Sequence, residues 1–128
     1  MNIKTIHIIS SINDLKNIKS YKNLNITYID AKSNKSILFA LKKAKRDSNL
    51  IILIPGILKS YKKIAEELKN IEIPIVYCSI DNADIHDKKN EIIKNIEYVI
   101  HGFKLSTTEV IISSALKIIK HHGEKNYN

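Results

Sequence analysis

Three observations predict an α/β domain built on a five-stranded parallel sheet doubly wound by helices. Five apolar runs of strand length recur along the chain, lysine-rich segments of helical period separate them, and the connections are only a few residues long. The runs are Ile3 to Ile9, Ile26 to Asp30, Leu50 to Ile54, Ile73 to Ile80 and Tyr98 to His101. They are rich in β-branched side chains, which suit a pleated surface, and close to continuously apolar, as strands covered on both faces are.

The intervening segments read as helices in turn. Asn13 to Lys22 carries a thin stripe of Leu15, Ile18 and Tyr21 or Lys22. Asn34 to Asp47 repeats Ile37, Leu38, Leu41 and Ala44 at helical spacing, and Leu58 to Asn70 does the same with Tyr61, Ile64, Ala65 and Leu68, lysines filling the outer positions of both. A short helix is expected near Asp87 to Asn95, with Ile92, Ile93 and Ile96 inward. The last is expected to open on a capping box, Ser106 with Glu109, in which each side chain satisfies a free backbone N–H. Its belt of Val110, Ile111, Ile112, Ala115, Leu116, Ile118 and Ile119 is wider than a sheet-covering helix needs, and Gly123 reads as its stop. Residues 1–123 then form one domain and 124–128 a flexible tail.

A chain of 128 residues removes roughly two-thirds of its unfolded surface from water within one core, without disulfides or a structural metal. Hydrophobic content of 44% and charged content of 27% are globular values, and no apolar run approaches the ~20 residues of a membrane span. The opening MNIKTIHIIS lacks the apolar segment and small-residue site of an export signal, so a cytoplasmic location is expected. The single cysteine, Cys78, reads as a small buried hydrophobe. Lysine and arginine total 21 against 13 acids, a net charge of +8, yet Arg46 is the sole arginine and the lysines spread over every helix. A solvated basic surface is the expected reading. Nucleic-acid binding through Lys42, Lys43, Lys45, Arg46, Lys59, Lys62 and Lys63 is a secondary alternative.

In doubly wound sheets, ligands bind outside the carboxyl ends of the strands near the reversal of strand order. A small-ligand site would therefore draw on Ser10, Ser11, Asp30, Gly56, Ser79, Asp81 and His101. The first turn, Ser10 to Asp14, has no glycine to admit a dinucleotide pyrophosphate, and Gly56 stands without the Gly-Lys-Ser/Thr of a phosphate-binding loop. His86 among Asp81, Asp84 and Asp87 has no ligand spacing and reads as a polar loop, so neither metal nor cofactor is expected. His7 is expected to be a hydrogen-bonded interior or edge residue, and His121 and His122 to sit at the negative end of the last helix dipole.

Ile73-Pro74-Ile75-Val76-Tyr77-Cys78-Ser79 resembles the fourth strand of response-regulator receiver domains, which ends in a small hydroxyl residue. Tyr98 to Phe103 followed by Leu105 to Glu109 is similar to their fifth strand, Lys-Pro-Phe turn and final helix. The resemblance implies a flavodoxin-like three-layer sandwich. Receivers carry paired acids after the first strand, a phosphoacceptor aspartate ending the third and a lysine ending the fifth; this chain has Ser10 and Ser11, then Leu53, Ile54 and Pro55, then His101. The resemblance therefore implies a receiver shape without phosphorylation.

The leading expectation is a noncatalytic protein-interaction module. It would act through Ile92, Ile93, Phe103, Val110, Ile111, Leu116 and Ile118, with a protein partner or a second copy as a homodimer. The alternative is a small-ligand-binding or enzymatic domain using the strand-end residues.

Overall fold

The structure, a computed structural model, describes residues 3–11, 21–54, 62–79, 96, 98–101 and 105–126. Five strands form one sheet: β1 (Lys4–Ser10), β2 (Leu24–Asp30), β3 (Leu50–Ile54), β4 (Ile75–Ser79) and β5 (Tyr98–His101). Every pairing is parallel and the order is β2-β1-β3-β4-β5. Three helices are described: α1 (Asn34–Asp47), α2 (Lys62–Lys69) and α3 (Leu105–Asn126). This is the flavodoxin-like arrangement.

Strand burial follows position in the sheet. All five residues of central β3 are buried, whereas edge strand β2 alternates partly buried and exposed residues. On one face Ile9, Ile51 and Leu53 pack against Ile37, Leu41 and Ala44 of α1 and Ile64 and Leu68 of α2. On the other, Ile6, Ile8, Ile52, Val76 and Cys78 meet Ile111, Ile112 and Ala115 of α3. Each fully buried isoleucine or leucine in these layers contributes about 1.5–3 kcal/mol of burial free energy.

α1 has the bounds its periodicity predicts, and serines define both ends. Ser33 Oγ accepts from Ser36 N at 3.1 Å and Ser36 Oγ accepts from Ser33 N at 3.0 Å, a reciprocal cap. At the other end Ser48 N and Oγ both donate to the Ala44 carbonyl, at 3.0 and 2.6 Å. Asn49 then exchanges two bonds with Thr5, which sets the register of β3 against β1: Thr5 N donates to Asn49 Oδ1 at 2.9 Å and Asn49 N donates to Thr5 O at 2.8 Å.

Several sequence expectations are corrected. Tyr21 and Lys22 belong to no helix; they lead through a turn into β2, with Asn23 at φ 68°. α3 begins at Leu105, so Ser106 lies inside the first turn rather than capping it. It also runs through Gly123 to Asn126, so Gly123 is not its stop; residues 127–128 of the expected tail lie outside the described residues. A helical glycine costs only about 1 kcal/mol relative to alanine, and tertiary contacts outweigh that here. Ile118 and Ile119 pack on the sheet, and the His122 ring bonds the carbonyl of Glu72, so His122 is a bridge to the start of β4 rather than a terminal charge. The expected helix at residues 87–95, residues 13–20 of the first expected helix and positions 58–61 of the third lie outside the described residues.

Candidate functional site

The strand order reverses between β1 and β3, and the residue at that point is Ser10. Its Cα is registered against Asp30 of β2 on one side and Ile54 of β3 on the other. Ser10 is fully buried, and its carbonyl accepts from Ala31 N at 2.9 Å. The next residue, Ser11, is partly exposed and donates its N–H to the Ile54 carbonyl at 3.1 Å. The ends of three strands are thus tied together by the main chain of a serine pair. Asp30 is exposed, with Lys32 Nζ 4.0 Å from its carboxylate, a contact at the limit of an ion pair.

Two strands away, Ser79 and His101 end β4 and β5 in direct register. At ~4.8 Å between neighbouring strands, Ser10 and Ser79 are roughly 10 Å apart and Asp30 and His101 roughly 19 Å apart. By backbone register, Ser10 stands beside Asp30 and Ser79 beside His101, on opposite sides of the apolar end of β3. At the Ser10–Asp30 end, Ser11 and Asp30 are the residues with exposed surface. Gly56 and Asp81, expected at this rim, lie outside the described residues, as do Asp84, His86 and Asp87. Among the described residues no three His, Cys, Asp or Glu side chains come together as a metal site.

Other singled-out residues are placed elsewhere. His7 is only 5% exposed, registered against Thr27 and Ile51 in mid-sheet. Its Nδ1 has no hydrogen-bond partner, contrary to the expectation of a bonded interior histidine. Burial holds its imidazole below the usual histidine range, a shift opposed by Asp47 and reinforced by Lys43. Burial also pushes the Cys78 thiol up to about 12, which makes it an inert core group. Of the expected interface set, Ile111 is buried in the core and Ile118 packs against it, while Val110 and Leu116 are 63% and 40% exposed. Ile92, Ile93 and Phe103 lie outside the described residues. Among the described residues no helix is long and apolar enough to cross a membrane.

Nothing in the linear sequence pairs Lys45 with Glu67. They form an ion pair of 2.9 Å joining α1 to α2, and Glu67 is buried. A glutamate at the inward edge of an amphipathic stripe is the only linear signal of such a pair, and it does not name the partner.

No family model and no curated protein matches the chain. Solved structures do match. A 3-dehydroquinate dehydratase-like protein from Bifidobacterium longum superposes with a TM-score of 0.60 at 9% identity, covering 94% of this chain and 99% of its own. A type II dehydroquinase from Propionibacterium acnes superposes with a TM-score of 0.62 at 13% identity, covering 91% and 98%. Neither neighbour is a receiver domain. The receiver resemblance is overturned by these dehydroquinase neighbours, and its origin is physical: receivers share the same order of strands and helices, so an apolar fourth strand and a strand-turn-helix ending recur without kinship. At these identities the likeness establishes the flavodoxin-like fold alone.

Proposed function

We propose that this chain is a small-molecule enzyme domain whose ligand lies over the carboxyl ends of β1 and β3. The observation that supports this most is the position of Ser10, buried at the reversal of strand order between Asp30 and Ile54. In open α/β sheets that crevice is where ligands bind. The neighbours named as a dehydroquinase and a dehydratase-like protein favour an enzymatic use of the fold over an adhesive one.

The chemistry available at the rim is hydrogen bonding and proton transfer. Ser11 and Asp30 would hold ligand hydroxyls, the serine as donor and the carboxylate as acceptor. Elimination of water needs one group to take a proton from carbon and another to give one to the departing hydroxyl. His101 is the rim group, among the described residues, whose ordinary pKa lies near neutrality, and Ser79 is registered beside it. The sole arginine, Arg46, stands in the last turn of α1 at the opposite end of the sheet, so no arginine fork serves this rim.

The test is to add 3-dehydroquinate to the full chain and follow both loss of water and the amide resonances of Ser10, Ser11, Asp30 and His101. Shifts confined to the rim, weakened at least tenfold by Asp30→Asn or His101→Gln, are the expected result. Absence of turnover together with unmoved rim amides, across a panel of small hydroxy acids, overturns the reading.

A further inference from the structure

We infer that the cleft between the amino-terminal turns of α1 and α2 binds a small organic anion, at a place separate from the strand-end crevice. Asn34, Lys35 and Leu38 of α1 and Lys63 and Ile64 of α2 line it, and its volume is about 430 Å³. That lies within the roughly 300–1,000 Å³ of small-molecule sites. A second cavity, about 120 Å³ between α2, the starts of β4 and β5 and His122, falls below it.

Charge decides what the cleft accepts. Both side chains that flank it with formal charge are lysines, and among the described residues neither Lys35 nor Lys63 has a carboxylate within ion-pair distance. The basic residues with such partners are Lys45, bonded to Glu67, and Lys32, near Asp30. Neither helix has an acid in its first turn to offset the ammonium groups or the positive end of the dipole. Two uncompensated cations over a floor of Leu38 and Ile64 fit a ligand with an acidic group on an apolar body, and fit poorly a cation or a neutral polyol.

The cleft is also held open in advance. α1 and α2 run side by side, with Ile37, Leu41 and Ile64 in one buried cluster and Lys45 bonded to Glu67 towards their carboxyl ends, so both helices are anchored without ligand. A ligand entering it then loses little free energy to reorganisation of the protein. The cleft lies on the sheet face covered by α1 and α2, whereas Ser10, by strand alternation, shares the face of Ile6 and Ile8 that α3 covers. The two sites are therefore spatially distinguishable.

The test uses benzoate and phenyl phosphate as probes, benzamide as the neutral control and inorganic phosphate as the control lacking an apolar body. Amide resonances of the full ¹⁵N-labelled chain report the binding place. Both aromatic anions should shift Lys35, Leu38, Lys63 and Ile64, with affinity falling as salt rises, while benzamide and inorganic phosphate bind at least tenfold more weakly. Lys35→Gln combined with Lys63→Gln should cut anion affinity at least tenfold, and Lys117→Gln on α3 should leave it unchanged. A folded double variant that binds as the parent does, or equal binding of benzamide, overturns the inference. Shifts at Ser10, Ser11 and Asp30 alone would overturn it while supporting the strand-end crevice, and shifts at the cleft alone would support it whatever 3-dehydroquinate does at the strand ends.

Discussion

Lys45 Nζ and Glu67 Oε2 stand 2.9 Å apart, joining the last turn of α1 to α2 across the helical layer. The two partners are unequally placed: the Glu67 side chain is 8% exposed and that of Lys45 33%. Loss of the lysine strands a carboxylate away from water, whereas loss of the carboxylate leaves an ammonium group that rehydrates.

The asymmetry predicts an order of variants. Lys45→Met should cost about 2 kcal/mol, because the buried carboxylate loses its counter-ion, and Glu67→Gln about 1 kcal/mol, because a side-chain acceptor remains within reach of the ammonium. Urea unfolding of both variants checks this. The reverse order, or two losses indistinguishable from zero, would show that the pair adds nothing beyond a surface contact.

His7 predicts a dependence on pH. Its imidazole in the folded chain titrates below the ordinary value of 6.5, through burial above all, with Asp47 opposing and Lys43 adding least. The unfolded chain takes up a proton near pH 6.5 that the folded chain refuses, so this contribution is complete above that pH and declines as pH falls through and below it. His7→Leu removes the titrating group and also the unpartnered Nδ1. The parent should lose stability relative to the variant between pH 6.5 and pH 5, and denaturation midpoints measured across pH 5–8 that run parallel would contradict the assignment.

Burial along α3 predicts which positions matter to folding. Ile112 is fully buried beneath the sheet and Leu116 is 40% exposed. Ile112→Ala should cost about 3 kcal/mol, as large-to-small changes in packed cores do, and Leu116→Ala about 0.5 kcal/mol or less. Thermal and urea unfolding of the pair checks the orientation of the helix, since similar losses would mean that α3 is rotated about its axis.

Much of the scaffold was legible because it is local. The bounds of α1, β3 and β5 follow from runs of side chains whose period matches the element, and the serines around α1 act within four residues of one another. Legibility failed where a distant contact outweighed a local signal. Gly123 reads as a stop by itself, yet packing of Ile118 and Ile119 and the bond from His122 to Glu72 carry the helix past it. His7 alternates properly within β1, but nothing near it in sequence shows that its Nδ1 meets no partner.

The candidate site divides in the same way. That Ser10, Ser11, Asp30, Ser79 and His101 end strands is visible in the linear chain, since each follows an apolar run. Which of them meet is not visible, because strand order is set by how crossovers and packed faces close, at separations no short-range propensity records. The amino-acid sequence by itself determined the five strands, the extent of α1, the two-sided burial of the central strands and the net basic charge. Only the tertiary structure decided that Ser10 sits between Asp30 and Ile54, that Ser79 falls in register with His101, and that Lys45 finds Glu67 while Lys35 and Lys63 line a cleft with no acid among its described lining residues. Such pairings are made by residues far apart in sequence, and they form only once burial of the apolar faces has fixed the layers.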